Sequence, residues 1–365
     1  MRKIIFAQDS GYGVDKYAYR NADGKIKYGK VNSAIAEAPI DTPDMPLFEG
    51  RRFYLGEIAL LEDSSKILDI LDYKDHERFA PLSLWHAFEE SKIDKENVGC
   101  ISVGLSLAQC NYQANFVKRL SKFSVNKENF DFTGKIALFP QGVGARYAID
   151  NIYYKDAADE DKNYAIIDIG QLTVDAVTVF GGKARSEAAS GTAHQGIVKI
   201  TQNLQEHIAS DAKLKSVLSM KELQEIIRTG KYLSFGEEYD FTKIIDNFKK
   251  EYTLFLLTAL RERQKNIFQK IAKIYIIGGG AYYLDHDVMS NFQGIPFKSF
   301  VITKNSEYLN AIGNLLGAEK MISEGKMEGL NISDFNQEST EKVVSGGSLS
   351  AGNNAVRKEK AAANS

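Results

Sequence analysis

Apolar runs separated by Gly-rich turns predict that the chain begins as a β-meander. Lys3–Ala7 and Lys16–Arg20 each have the length and composition of a strand, and a glycine-rich turn separates them. Asn21–Gly24 then carries the Asn, Asp and Gly residues typical of a hairpin turn, so a third strand should follow. The chain is therefore predicted to open with three antiparallel strands.

The pattern then changes to alternating helices and strands. Leu82, Trp85 and Phe88 recur at helical spacing and predict a helix over Pro81–Lys92, and Cys100–Leu105 is an apolar run of strand length. The same reasoning predicts further elements: a helix over Asn111–Leu120, a strand over Ile136–Phe139 and a helix after Gly144. This alternation indicates an α/β fold.

The opening pattern begins again in the second half. Strands are predicted over Tyr164–Asp168 and Thr173–Phe180, with a third near Ala184–Ala188. Aligning Asp9-Ser10-Gly11 with Asp168-Ile169-Gly170 gives a spacing of 159 residues. A period of that length favours two duplicated domains over a solenoid. The elements predicted after this point are helices over Gly191–Ser210, Met220–Arg228 and Asp240–Gln264, a strand over Lys273–Ile277 and a last helix over Ser306–Met321.

Composition and charge exclude several classes of protein. The 365 residues are 44% hydrophobic and 26% charged, which is typical of a globular chain long enough for two domains. Because 46 Lys and Arg residues are balanced by 48 Asp and Glu residues, there is no broad cationic field, and we expect no extensive direct binding to nucleic acid. The histidines are scattered without metal-ligand spacing, so a structural metal site is not expected.

The same sequence features predict a cytoplasmic protein with no membrane segment. Cys100 and Cys110 are too few for a disulfide framework and are expected to be thiols. The first residues lack an apolar run of signal-peptide length, and the most hydrophobic stretch, Tyr252–Leu260, is far shorter than the roughly 20 residues that span a bilayer. Residues 345–365 are small, polar and aperiodic, which predicts a flexible tail.

Two Asp-x-Gly hairpins carry the main candidate chemistry. Glycines allow backbone N–H groups to approach an anion, so each hairpin is a candidate site for a polyphosphate. Asp9 and Asp168 end their strands, where carboxylates can hold Mg²⁺ through its retained waters, and Lys16 can reach a terminal phosphate. The candidate binding residues are Ser10, Gly11, Tyr12, Gly13 and Lys16 in the first hairpin and Gly170, Gln171 and Thr173 in the second.

Two further motifs complete the set. Gly278, Gly279, Gly280 and Ala281 follow an apolar strand, where the lack of side chains would let a base and its sugar lie against the backbone. Gln141 follows Pro140 between the two halves, and its amide can orient a water for attack on a γ-phosphate. Each motif alone is also typical of an ordinary turn. Four of them in this order within one duplicated chain are hard to obtain as four independent turns, so together they are a strong signal.

In this order the motifs resemble those of the actin, sugar-kinase and heat-shock ATPase superfamily, most closely the plasmid-segregation (ParM-type) and archaeal actin-like proteins. The resemblance covers roughly residues 3–320. It implies two domains around a nucleotide cleft, with residues 1–150 and 305–322 in domain I, 151–304 in domain II and 323–365 as a tail. It also implies that ATP or GTP binds with Mg²⁺, that Gln141, Asp168 and Asp9 are catalytic, and that residues 310–313 belong to the helix that closes the hinge.

The resemblance implies nucleotide-dependent filaments, a role in plasmid DNA segregation and a DNA-bound adaptor as partner. Gln171 and Leu172 depart from the family, which prefers a glycine and a threonine there. Gln171 either donates to phosphate itself or holds the γ-phosphate less closely. The alternative function is a small-molecule kinase of the same fold, for which no carboxylate base is evident, and a chaperone ranks lower because no β-rich substrate domain follows.

Overall fold

The computed structural model describes residues 2–68, 70–210, 214, 218–234, 236–268 and 270–335. The first half of this described chain contains ten strands and four α-helices. The strands are β1 (Ile4–Asp9), β2 (Val14–Arg20), β3 (Ile26–Asn32), β4 (Ile35–Ala38), β5 (Leu47–Phe48), β6 (Arg51–Leu55), β7 (Val98–Leu105), β8 (Lys122–Val125), β9 (Glu128–Asp131) and β10 (Ile136–Pro140). The helices are α1 (Gly56–Ala59), α2 (Tyr73–Ser91), α3 (Gln113–Ser121) and α4 (Val143–Tyr153).

The second half of the described chain contains seven strands and five α-helices. Its strands are β11 (Tyr164–Ile169), β12 (Val174–Phe180), β13 (Lys183–Thr192), β14 (Lys231–Ser234), β15 (Glu237–Asp240), β16 (Lys273–Ile277) and β17 (Phe300–Ile302). Its helices are α5 (Val198–Ser210), α6 (Met220–Thr229), α7 (Thr242–Phe268), α8 (His286–Asn291) and α9 (Leu309–Ser323).

Two five-stranded sheets share one topology, as the repeat in the sequence predicts. The first has the order β10-β7-β1-β2-β3 and the second the order β13-β12-β11-β16-β17. In each, the first strand pairs antiparallel with the second and parallel with a strand that comes after a long connection. The duplication is therefore confirmed. Because β1 and β11 are equivalent, both Asp-x-Gly hairpins lie at the carboxyl ends of central strands.

Helices α4 and α9 form a layer between the two sheets. Apolar side chains of both sheets and both helices belong to one buried cluster, for example Ala7, Ile149, Ile166 and Leu315. Helices α2 and α3 cover the outer face of the first sheet, and α5–α8 cover that of the second. None of the helices among the described residues is long and apolar enough to cross a membrane.

The two middle helices approach each other through glycines. A Cβ atom on Gly313 would lie 2.2 Å from the carbonyl oxygen of Gly144, and one on Gly144 would lie 2.1 Å from Oδ1 of Asn314. These distances are shorter than any tolerable contact, so α4 and α9 can cross this closely only with glycine at both positions. The crossing joins the segment between the two halves to the returning helix.

Several predicted boundaries differ from the structure. Helix α2 begins eight residues before Pro81, because Asp72 caps its first turn by accepting a hydrogen bond from the Asp75 N–H (2.9 Å), and the proline lies inside the helix. Helix α5 begins at Val198 instead of Gly191, since β13 continues to Thr192 and His194 adopts a left-handed φ of 57°.

Three small β elements were not predicted: the sheet β4-β6-β5 and the hairpins β8-β9 and β14-β15. Their strands have two to five residues, too few for a clear hydrophobic period. Cys100 is buried in β7, whereas Cys110 is half-buried, and both are free thiols.

Residues 324–335, which the sequence-based interpretation places in the tail, contact the start of the chain. Phe335 is buried, and the Lys3 N–H donates to the carbonyl oxygen of Asp334 (3.0 Å). The remainder of the predicted tail, residues 336–365, lies outside the described residues.

Candidate nucleotide site

A cleft of about 900 Å³ lies between the two halves, where the hairpins of both sheets meet. It brings together all but one of the residues predicted from the sequence to form a site. Those that line it are Asp9, Ser10, Gly11, Tyr12, Gly13, Lys16, Gln141, Asp168, Gly170, Gln171, Thr173, Gly278, Gly279 and Gly280. The exception is Ala281, whose methyl group is buried in the core of the second half.

In the first hairpin, Asp9 is the centre of a small polar cluster. Asp9 lies opposite Lys16 in the β1-β2 ladder, and its Oδ2 is 3.8 Å from Nζ of that lysine. Its Oδ1 accepts a hydrogen bond from Nε2 of Gln141 (2.7 Å), which follows strand β10. The ends of three strands thus place a carboxylate, an ammonium and an amide side by side at the bottom of the cleft.

A second aspartate, Asp15, holds the hairpin backbone in place from behind. Its Oδ1 accepts from the Gly11 N–H (2.9 Å), and its Oδ2 accepts from the Ser83 hydroxyl on α2. Burial raises the pKa of Asp15 to about 6. Gly11 is required here, because a Cβ would lie 2.4 Å from the carbonyl oxygen of Val14.

The second hairpin repeats this arrangement with one change. Asp168 lies opposite Asp175 in the β11-β12 ladder, the position that Lys16 occupies in the first hairpin. Asp175 accepts hydrogen bonds from the Leu107 N–H (2.9 Å) and the Thr173 hydroxyl (3.3 Å). Burial, together with the charge of Asp168, raises the pKa of Asp175 well above its usual range.

Asp168 is a buried carboxylate that faces the first hairpin. Its Oδ2 accepts from Nδ2 of Asn310 (2.6 Å) at the start of α9, and Oδ1 of the same asparagine accepts from the Gly142 N–H (3.0 Å). Burial, and then the nearby charge of Asp9, raise the pKa of Asp168. Two buried acids close enough to repel each other form a site that is short of positive charge.

The second hairpin is fixed to the start of helix α5 by its backbone. The carbonyl oxygens of residues 170–172 accept from the N–H groups of Ile197 (3.1 Å), Val198 (2.8 Å) and Gly196 (3.1 Å). The side chain of Gln171 projects over Gly13 of the first hairpin, where a Cβ would lie 3.5 Å from the glutamine Cβ and Cγ. Its Nε2 is buried and has no hydrogen-bond partner among the residues that the structure describes.

The glycine motif after β16 has two crowded positions and one open position. A Cβ on Gly278, which has φ of 81°, would lie 2.4 Å from Oδ1 of Asp168, and one on Gly280 would lie 2.2 Å from Cγ2 of Ile169. At Gly279 a Cβ would meet no described atom within 4 Å. The backbone at Gly279 therefore borders free space in the cleft.

Comparison with known proteins identifies the architecture. A family model for the C-terminal part of MreB-like archaeal actin homologues matches residues 166–290. A ParM from a 15-stranded filament of Clostridium botulinum superposes with a TM-score of 0.70 at 18% identity, over 88% of this chain and 100% of that chain. The archaeal actin homologue Ta0583 gives 0.67 at 18% identity, over 87% of this chain and 99% of that chain.

This chain has an actin-like fold. The resemblance to ParM-type and archaeal actin-like proteins, stated from the motifs, is thereby confirmed, as is the duplicated α/β architecture. Ta0583 has also been solved with ADP, and ParM of Bacillus thuringiensis with ATP, at TM-scores of 0.64 and 0.53 and 17% identity to this chain in each case. No curated protein sequence matches the chain.

The actin-like cleft has further lining residues that the sequence did not reveal. They come from the described part of helix α6, from the segment after the glycine motif, from the first half and from the turn before α9, and they include Gln224, Glu225, Arg228, Tyr282, Tyr283, Ile58, Leu60, Leu61, Lys30 and Glu307. Lys30 and Glu307 form an ion pair (3.0 Å). The amphipathic pattern of α6 predicts a helix, but its place at the cleft depends on tertiary packing.

The donor set of this actin-like site fits magnesium better than a metal held by protein alone. No group of three or more His, Cys, Asp or Glu residues in the described part of the chain is arranged to hold a metal ion. Asp9 and Asp168 nevertheless face the same space as the two hairpins. Mg²⁺ commonly binds in this way, through one or two carboxylates together with water and substrate phosphates.

Proposed function

We propose that this actin-like chain binds and hydrolyses ATP or GTP with Mg²⁺ in the cleft and assembles into filaments in a nucleotide-dependent manner. The observation that carries the proposal is the pair of buried acids, Asp9 and Asp168, at equivalent positions of two facing Asp-x-Gly hairpins. Such a site combines backbone groups that can bind an anion with carboxylates that need a cation. A magnesium nucleotide supplies both the anionic phosphates and the cation.

The hairpins would hold the phosphates. Backbone N–H groups of the glycine turns and the Lys16 ammonium would supply positive potential. Nε2 of Gln171, which has no partner in the described part of the chain, would supply one more donor. The open backbone at Gly279 leaves room for the nucleoside, next to the lining residues of α6. That Gln171 donates to phosphate is thus the alternative we favour of the two that the sequence leaves open.

Hydrolysis is assigned to Gln141 and the two acids. When bound, Mg²⁺ neutralises charge on the phosphates, and Asp9 and Asp168 would hold it through its waters. Nε2 of Gln141 donates to Asp9, which fixes the orientation of the amide and leaves its Oε1 as an acceptor. That oxygen would orient the attacking water toward the terminal phosphate.

Filament formation follows from closure of the cleft. A nucleotide that contacts both hairpins favours one angle between the two halves, and only such differential binding can shift a conformational equilibrium. Head-to-tail contacts that do not close into a ring then produce a filament. The structural similarity to a ParM filament supports this part of the proposal. Plasmid segregation and a DNA-bound adaptor rest on the sequence resemblance alone.

The test is assembly of the purified chain. Light scattering, pelleting and negative-stain electron microscopy are compared in ATP, GTP, a non-hydrolysable ATP analogue and ADP, each with and without Mg²⁺. We expect filaments above a threshold concentration in the triphosphates with Mg²⁺ and disassembly in excess ADP. A chain that binds nucleotide, never assembles and phosphorylates a small metabolite would instead be a kinase of the same fold.

A further inference from the structure

His76 is a buried histidine directly behind the first hairpin. It lies in the first turns of α2, and its side chain is 7% exposed. Its ring contacts the ring of Tyr12 (4.8 Å between centroids), and its Nε2 lies 3.0 Å from Oγ of Ser10. Ser83, two helical turns further along α2, contacts the same hairpin through Asp15. One face of α2 therefore supports the first hairpin.

Among the described residues, the ring of His76 has one polar contact, with Ser10. Its Nδ1 is buried and lacks a hydrogen-bond partner within the described part of the chain. Burial lowers the pKa of His76 to about 4, so the ring is neutral near pH 7 and carries a single N–H group. The proton is therefore either on Nε2, facing Ser10, or on Nδ1, where it would be an unsatisfied buried donor.

We propose that His76 is a positioning residue that donates from Nε2 to Oγ of Ser10, leaving the serine hydroxyl proton free to bind a phosphate oxygen of the nucleotide. The inference rests on the proposed function, because it concerns the ligand of the same cleft. It adds a residue that does not line the cleft and acts through Ser10.

The chemistry of phosphate decides between the two tautomers. A hydroxyl has one proton and accepts at its oxygen lone pairs, whereas an ionised phosphate only accepts. If Nε2 were the acceptor, the Ser10 hydroxyl would donate its proton to His76. Only oxygen lone pairs would then face the phosphate, which cannot donate to them. With Nε2 protonated, the hydrogen bonds run from His76 to Ser10 and from Ser10 to phosphate, and every donor has an acceptor.

A double-mutant cycle tests the path through Ser10. The affinity for a non-hydrolysable ATP analogue with Mg²⁺ is measured by calorimetry for the wild type, Ser10→Ala, His76→Leu and the double variant. We expect each single change to weaken binding about tenfold and the double variant to bind no worse than Ser10→Ala. His76→Gln should recover most of the loss, because its amide can donate from the place of Nε2. His86→Leu, on the same helix but outside the hairpin, should bind normally.

Nitrogen NMR of histidine-labelled protein reads the tautomer directly. In the complex with the analogue, His76 should be protonated at Nε2 and not at Nδ1. Protonation at Nδ1, or losses of affinity that multiply in the double variant, would overturn the assignment while leaving nucleotide binding established. A wild type that binds no magnesium nucleotide would overturn the proposed function and this inference with it.

Discussion

Nε2 of Gln141 donates to Oδ1 of Asp9 across 2.7 Å, so two residues expected to act in hydrolysis share one hydrogen bond. Gln141→Ala removes the oriented amide oxygen while the hairpins stay intact. We expect the hydrolysis rate to fall on the order of 100-fold with nearly unchanged affinity for nucleotide. Single-turnover phosphate release and a binding titration measure the two effects, with the exposed Gln113→Ala as control. Wild-type release kinetics would contradict the assignment.

Asp168→Asn should impair magnesium-dependent hydrolysis more than binding. Asparagine keeps the size of the side chain but lacks the charge that would hold the metal, and the loss of such a contact typically costs on the order of 100-fold in rate. Steady-state hydrolysis is measured against Mg²⁺ concentration. The matched control is Asp150→Asn. Asp150 is a partly buried carboxylate that accepts a hydrogen bond from the Tyr164 hydroxyl and lies away from the cleft. Unchanged turnover would remove Asp168 from the mechanism.

Gln171→Ala should distinguish the two roles considered for this residue. If its Nε2, which has no partner among the described residues, donates to phosphate, the substitution weakens binding of the triphosphate analogue about tenfold, since hydrogen bonds to charged groups are the stronger ones. If the bulky side chain instead keeps the γ-phosphate away, alanine should bind more tightly and hydrolyse faster. Parallel titrations with the analogue and with ADP show whether the donor meets the terminal phosphate.

Adjacent glycines of one motif should respond in opposite ways. Gly279→Leu extends into the cleft, so we expect weaker nucleotide binding, by about tenfold or more, at an unchanged melting temperature. Gly280→Ala places its methyl against Ile169, and overpacking of this kind costs about 1–3 kcal/mol of stability. Thermal melts and titrations of both variants are compared. Equal loss of stability in the two would show that Gly279 is also structural.

Asp15 should make the protein less stable as the pH rises. Its pKa is about 6 in the folded chain against about 4 when unfolded, so the folded state binds the proton more tightly. This contribution is complete below pH 4 or so and is lost as the pH rises through about 6. Asp15→Asn cannot ionise, and we expect it to gain up to about 3 kcal/mol relative to wild type between pH 4 and pH 7. Urea unfolding across this range checks the slope, and a constant difference would contradict it.

The sequence predicted those parts of the fold and site that depend on local pattern. The strands that end in Asp9 and Asp168 and the turns after them follow from apolar runs and glycines, and the repeat indicates that the two hairpins are equivalent. Helix α2 was predicted short because Pro81 resembles a helix start, whereas the capping Asp72 lies farther upstream.

The rest depends on contacts between distant segments. His76 was grouped with scattered histidines, since nothing local shows that its helix face lies behind Ser10. Nothing local places the α6 residues at the cleft, and Ala281 continues the glycine motif in sequence although its methyl group packs into the core. Local patterns identify turns, but the packing of helices against sheets decides which side chains reach them.

The glycine crossing of α4 and α9 also determines how the molecule can move. Because backbone meets backbone at Gly144 and Gly313, α4 and α9 have little room to slide past each other. A change of angle between the two halves is then the motion we expect. When one half rotates relative to the other, the displacement of its atoms grows with their distance from the crossing. If one hairpin moves by a fraction of an ångström, the resulting displacement would be largest at the mouth of the cleft, near Leu61. The fluorescence of a fluorophore pair placed across the mouth should change when nucleotide is exchanged, whereas that of a pair beside the crossing should not change.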